Sequence, residues 1–306
     1  MKLKLFFAAT ALMLAACTND EVTTTPDGEV TIEVNAAISG INTRASGTSW
    51  TTDDCIGIST ASDGHTQYEN IPYKYNGTKF SPAENAIYFQ DAQEEVTFNA
   101  YYPFSGTTAT LPTTIEAATT ADYQTAEKQP GIDFLFAKGA TASRAEPAVS
   151  FTGDNAFHHC MSQITLTFIE GANMSFTTGS LTGYTLKGLK LSGTFNPEDG
   201  TAQPTATAAA ERLSIAMSDV VATEMKYTAL PVILFPQDMN GTIGIEVTVD
   251  GQTYQAKLII PNGENALKAG NNYTWPVTVS KTGVSVGQAE IKDWTTVTGS
   301  GATATM

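Results

Sequence analysis

Apolar and polar side chains alternate with a period of two over much of this chain. Val30, Ile32, Val34, Ala36 and Ile38 alternate with Thr31, Glu33, Asn35 and Ala37, which predicts a strand burying one face. Val96, Phe98 and Ala100 repeat the pattern ahead of Tyr101-Tyr102-Pro103-Phe104. Tyr73-Lys74-Tyr75-Asn76-Gly77-Thr78-Lys79-Phe80 carries an Asn-Gly pair; a two-residue turn there sets Tyr73 opposite Phe80 and Lys74 opposite Lys79. A clearer hairpin has Ile243, Ile245, Val247 and Val249, then Asp250-Gly251, then Tyr254, Ala256, Leu258 and Ile260. A two-residue turn at Asp250-Gly251 pairs Val247 with Tyr254, Ile245 with Ala256 and Ile243 with Leu258, so the apolar residues share one side. Further strands are predicted at 163–169, 184–192, 228–236 and 273–279. Helical periodicity is scarce, so the expected fold class is all-β, with two β-sandwich domains in tandem, each of about a hundred residues or a little more.

The first residues follow another logic. Lys2 and Lys4 precede an apolar run from Leu5 to Leu14, closed by Leu14-Ala15-Ala16-Cys17. A basic start, a run too short to span a bilayer and small closing residues mark an export signal. The cysteine at this place reads as the acylated residue of a bacterial lipoprotein, with residues 1–16 as signal peptide and Cys17 as lipidated N-terminus. Residues 17–28 form a small, polar, acidic tether. The N-terminal sandwich is expected over 29–147 and the C-terminal one over 148–306. Within this frame 105–131, rich in Thr and Ala with Pro112 and Pro130, reads as a long loop. The small, polar stretch 137–148, ending at Glu146-Pro147, reads as the interdomain connection.

Composition narrows function. The net charge of −15 becomes −17 once Lys2 and Lys4 leave with the signal, so nucleic acid is not an expected partner. Besides Cys17 there are only Cys55 and Cys160, equally open to pairing in an oxidising compartment or to packing as free thiols.

Candidate chemistry is sparse. His158-His159-Cys160 resembles a metal string, but neighbouring strand residues point to opposite faces and no CxxC or HxxxH supplies further ligands. No metal and no cofactor are expected. The acidic stretches Asp53-Asp54, Asp91 to Glu95 and Glu198-Asp199-Gly200 lack the ligand spacing of a calcium loop. No GxxxxGK or HExxH occurs, and nothing among 31 acidic residues singles out a carboxylate pair for glycoside hydrolysis. The expectation is a protein that is not an enzyme, with no catalytic residue assigned. Trp50, Trp275 and Trp294 are core residues by default and sugar platforms as the alternative.

One segment suggests chemistry performed on the chain. Ser39-Gly40-Ile41-Asn42-Thr43-Arg44-Ala45-Ser46-Gly47-Thr48-Ser49 is small and polar with Arg44 as its single basic residue. A trypsin-like protease needs backbone of this kind, which can be drawn into an extended conformation. An arginine in an ordinary surface loop is the other reading.

Several segments, taken in order, bear on the choice: Thr43-Arg44-Ala45; Trp50-Thr51-Thr52-Asp53-Asp54-Cys55-Ile56-Gly57-Ile58; Phe98-Asn99-Ala100-Tyr101-Tyr102-Pro103; Asp133-Phe134-Leu135-Phe136-Ala137; Phe157-His158-His159-Cys160-Met161-Ser162-Gln163-Ile164; Leu267-Lys268-Ala269-Gly270-Asn271-Asn272-Tyr273; and Ile291-Lys292-Asp293-Trp294. Their order and spacing resemble the fimbrillin-family lipoproteins of Bacteroidetes, over nearly the whole mature chain. The resemblance implies a type V pilin: two tandem transthyretin-like β-sandwich domains, exported as an outer-membrane lipoprotein and found at the cell surface in fimbriae. It implies acylation at Cys17, cleavage by an arginine-specific protease between Arg44 and Ala45, and loss of the strand bearing Val30, Ile32, Val34 and Ile38. A strand from another fimbrial subunit then replaces it. His159 is implied to be a fold residue.

Such a removal uncovers four inward side chains at about 1.5–3 kcal/mol each, about 6–12 kcal/mol in all, which rivals the stability of a domain. An alternating, detachable donor is needed to fill the edge left open. The C-terminal segment is the candidate: Val284 and Val286, a phase change at Gly287-Gln288 that reads as a bulge, then Ala289, Ile291 and Trp294. The alternative is a surface lipoprotein that binds a host or bacterial glycan, or another host ligand, without polymerising.

Overall fold

The alternating segments are strands. A computed structural model describes residues 28–39, 49–61, 63–177, 179–217 and 222–294, and over these the protein is all-β apart from four short 3-10 turns. The N-terminal half is one eight-stranded sheet in the order Ala148–Phe151, Glu33–Ala36, Phe80–Pro82, Ile71–Tyr75, Cys55–Thr60, Glu95–Tyr102, Leu135–Ser143, His158–His159. Leu135–Ser143 and Ala148–Phe151 sit toward opposite ends of this order yet are joined by a tight turn in which Ser143 and Glu146 exchange backbone hydrogen bonds. The sheet therefore curls on itself. It encloses one core of Ile32, Val34, Ile56, Ile58, Tyr73, Phe80, Val96, Phe98, Val149, Phe151 and Phe157, among others.

The C-terminal half is a sandwich of two sheets. One runs Lys226–Thr228, Ser162–Glu170, Asn271–Ser280, Gly283–Val286, with Val232–Leu234 and Glu290–Asp293 extending it. The other runs Glu211–Ala216, Leu181–Leu189, Thr242–Val249, Gln252–Ile259. Inward residues of both sheets, among them Leu166, Phe168, Leu186, Ile245, Trp275 and Val277, make a second core. The Asp250-Gly251 hairpin has the expected register: Val247 with Tyr254, Ile245 with Ala256 and Ile243 with Leu258. Asp250 and Gly251 both take positive φ, 50° and 76°, giving the turn whose twist matches paired strands. A Cβ at Gly251 would meet nothing within 4 Å, so only its backbone angle resists a side chain. Gly251→Val is expected to cost about 1–2 kcal/mol, read as a lower urea midpoint at unchanged slope.

Three sequence expectations are corrected. The turn after Tyr75 is four residues long, with Asn76 Oδ1 accepting from the N–H groups of Thr78 and Lys79. Tyr75 thus faces Phe80, Lys74 faces Ser81 and Tyr73 faces Pro82, instead of Tyr73 with Phe80 and Lys74 with Lys79. The stretch 137–148 is not a connection, because most of it belongs to Leu135–Ser143, a strand paired along Glu95–Tyr102. Its residues are small because Ala140 and Ala142 stand opposite Phe98 and Val96, and large residues on both strands would overfill the core. The boundary set by that connection moves with it: residues 148–151 and 158–159, placed by the sequence in the second domain, pair with the first sheet.

The third correction concerns 105–131. Ile115–Ala118 crosses over and pairs antiparallel with Ser192–Phe195 of the C-terminal half. Farther along, the buried Gln124 side chain donates to Ile233 O (2.8 Å) and accepts from Ile233 N–H (2.9 Å), copying a strand partner. Gln129 donates to Pro231 O at 2.5 Å. A third apolar cluster joins the halves: Tyr101, Phe134, Phe136, Cys160, Met161, Phe195, Ile233, Phe235 and Trp294. Phe134 and Phe195 stack in it, with ring centroids 4.6 Å apart and planes 4° apart.

Candidate functional site: the N-terminal strand and its slot

Residues 30–39 lie inside the first sheet with both edges paired. On one side Ile32 N–H donates to Ile87 O (3.1 Å), Phe89 N–H donates to Val30 O (3.2 Å), and Val34 stands opposite Phe80. On the other side Glu33–Ala36 runs parallel to Ala148–Phe151 in unbroken register. The ladder continues as Ala37 N–H donates to Phe151 O (2.9 Å), Phe157 N–H to Ala37 O (2.9 Å) and Ser39 N–H to Phe157 O (2.7 Å). Ile32 and Val34 are buried at 4% and 2% exposure. Val30, Ala36 and Ile38 are half-buried against the same core. Nearly every polar group and apolar face of this segment is thus used within the N-terminal half. Cys17, Arg44 and Ala45 lie outside the described residues.

Trp50, which follows Arg44 in the chain, packs back on this strand. Its indole Nε1–H donates to Ala36 O (2.9 Å). Its ring meets Phe80, Phe157 and Tyr102 edge-on, at centroid distances of 5.0, 5.1 and 5.6 Å. Such aromatic pairs favour this geometry, and together they close the slot over the strand's second half.

The C-terminal segment packs against the other sandwich. Gly283–Val286 pairs antiparallel with the far end of Asn271–Ser280, and Glu290–Asp293 with its near end. From Val286, opposite Val277, to Glu290, opposite Thr274, the outer strand uses one residue more than its partner: the expected bulge. Pro276 supplies the reason, since it has no N–H for the ladder. Gly287 N–H donates to Pro276 O (2.9 Å), and a Cβ on Gly287 would lie 2.8 Å from the Pro276 ring. Val284, Val286, Ala289 and Ile291 are half-buried against the second core.

Trp294 ends this segment buried at 3% exposure. Its ring stacks on His159, centroids 4.4 Å apart and planes 3° apart, and its backbone N–H donates to Gly270 O (2.6 Å). His159 in turn shares a hydrogen bond of 2.8 Å between Nδ1 and the Asp133 carboxylate. His158 points out of the sheet while His159 is buried, so the two cannot close on one ion. No group of three metal-ligating side chains occurs among the described residues.

Cys55 and Cys160 are both free. Burial pushes the Cys55 thiol up to about 11 and the Cys160 thiol higher still, so neither is a reactive thiolate. None of the tryptophans offers an open face as a sugar platform: Trp275 is fully buried with its N–H on Ile259 O (3.1 Å), Trp294 is buried, and Trp50 is wedged under the N-terminal strand. Gln124, Gln129 and the His159–Trp294 stack carry no local sequence signal, because each partner is distant in the chain.

A family model described as fimbrillin-like matches residues 43–294. The chain belongs to the fimbrillin-like family. It is 27% identical, over 95% of its length and 94% of the relative, to a Bacteroides uniformis protein described as a fimbrium subunit, Fim1C. A crystal structure from Bacteroides ovatus, described as a cell adhesion protein, is 32% identical with a TM-score of 0.74, covering 88% of this chain and 99% of that one. A second, from Bacteroides uniformis, has 23% identity and a TM-score of 0.67 over 89% of this chain and all of that one, and shows the same fold. The fimbrillin-like match begins just before Arg44 and ends at Trp294, so it takes in Trp50, the core around it and the C-terminal strand.

Proposed function

We propose that this fimbrillin-like protein is a structural or adhesive subunit of a type V pilus, exported as a lipoprotein and carried to the cell surface through Cys17. In this reading an arginine-specific protease hydrolyses the Arg44–Ala45 bond, the strand containing Val30, Ile32, Val34 and Ile38 leaves, and a neighbouring subunit's strand completes the sheet. The halves act as two sandwich domains held by the Phe134–Phe195 cluster. The observation that carries the reading is the position of residues 30–39. They fill a full strand place in the first core, yet they connect to the rest of it only through the polar segment around Arg44. A single cut therefore opens both a hydrogen-bonding edge and an apolar slot.

The test is the N-terminus of protein isolated from cell-surface fibres. Ala45 is the expected first residue, with an acylated Cys17 on unprocessed precursor. Fibre-associated protein that still begins at Cys17 overturns the cleavage step.

The second reading, a surface lipoprotein that binds glycan without polymerising, has a different observation behind it. A cleft of about 940 Å³, lined by Ser59, Thr60, Gln67, Glu69, Asn99 and Glu198 among others, opens on the first sheet beside the loop that Asn70 organises. Saccharide binding by uncleaved protein that is lost in Asn99→Ala and Glu198→Ala would favour it.

A further inference from the structure

The slot held by residues 30–39 demands more of its occupant than this chain's own C-terminal segment can supply. Five inward positions follow one another without a phase break: Val30, Ile32, Val34, Ala36 and Ile38. The parallel ladder to Ala148–Phe151 is regular, so the slot has no place for an extra residue. Ile32 and Val34 are its deepest positions, and the fourth is small where the Trp50 indole reaches the main-chain carbonyl.

The C-terminal segment is built the other way. Its Val284-Val286 and Ala289-Ile291 pairs share a face only because of the bulge that Pro276 and Gly287 create. Laid straight into the slot with Val284 and Val286 at the first two positions, it puts Gln288 in the Val34 place. Laid with Ala289 and Ile291 at the last two, it puts Gly287 in the Val34 place and Ser285 in the Ile32 place. Reversing the strand direction about the same centre leaves Gln288 or Gly287 at the Val34 place. Past Ser280 neither alternating phase holds more than three apolar residues in succession, and that run is Ala302, Ala304 and Met306. A buried amide without a partner, or an empty Val34 place, is costly in a close-packed core.

We propose that the occupant of the vacated slot is a strand from a different subunit, not the C-terminal segment of a second copy of this chain. Its inward residues are five in succession, β-branched at the first three and small at the fourth. The inference rests on the strand-removal reading above. Self-polymerisation through the C-terminal segment is then excluded by side-chain register, and this subunit takes its place in a fibre only beside an unlike neighbour.

Strand replacement tests this. The chain has three arginines, so an Arg144→Gln/Arg212→Gln background leaves Arg44 as the sole site for an arginine-specific protease. The nicked protein is incubated with an excess of labelled peptide covering residues 29–39 or 282–297. Incorporation is measured by native mass spectrometry, and assembly by light scattering without peptide. The expected result is entry of the 29–39 peptide, incorporation of the 282–297 peptide weaker on the order of a hundredfold, and no fibres from the nicked protein alone. Comparable entry of the 282–297 peptide, or fibres from this chain alone, overturns the proposal and leaves strand removal standing. Entry of neither peptide shows that the slot is no strand receptor, and both readings fall.

Discussion

Val34→Asp is expected to unfold the N-terminal half. Val34 is 2% exposed, lies opposite Phe80 and touches the core from the middle of a strand bonded on both edges. A carboxylate there has no cation to pair with among the core residues and displaces packed methyl groups. The cost is at least about 4 kcal/mol, a large part of the about 5–15 kcal/mol that holds a domain together. Asn35→Asp, one residue on and on the exposed face, is expected to stay within about 0.5 kcal/mol of the parent. Urea unfolding of the two variants decides it: a Val34→Asp protein as stable as Asn35→Asp would mean that this strand is not part of the cooperative core.

The second large effect is expected at Trp294. Trp294→Ala removes a buried ring from the cluster between the halves and from its stack on His159. Truncating a buried tryptophan costs about 3–5 kcal/mol. Because, among the described residues, Gly283–Val286 and Glu290–Asp293 pair only with Asn271–Ser280, the loss falls first on that edge. Amide exchange over 283–294 is expected to quicken by on the order of a hundredfold or more, while Leu181–Leu189, between two strands of the opposite sheet, keeps its protection. Asp133→Asn, which weakens the hydrogen bond to His159, is expected to act in the same direction by about 1 kcal/mol. Unchanged exchange over 283–294 in Trp294→Ala would show that the stack does not hold the C-terminal strand.

These two sites differ in how far the sequence discloses them. The strand at 30–38 is plain from its alternation, and the structure buries Ile32 and Val34 as that alternation requires. The Asp250-Gly251 hairpin and the bulge at Gly287 are equally plain, because turn chemistry and phase breaks are local. The turn after Tyr75 is two residues longer than its Asn-Gly pair predicts, because Asn76 uses its side chain to cap a longer loop. The stretch 137–148 predicts a connection because its alanines look featureless until Phe98 and Val96 stand opposite them. The stretch 105–131 predicts a loop because its one short strand and its glutamines find their partners in the other half.

What the chain determined by itself was therefore the set of faces: which residues of a strand turn inward, where a hairpin closes and where a phase slips. Tertiary structure alone decided who stands beside whom. It set Glu33–Ala36 next to Ala148–Phe151, Ile115–Ala118 next to Ser192–Phe195, and brought Asp133, His159 and Trp294 into one stack. The physical reason is that burial of a face follows from side-chain alternation along a few residues. Strand pairing, in contrast, is made by backbone groups alike at every position, so its partners are selected only by how distant side chains fill a common core.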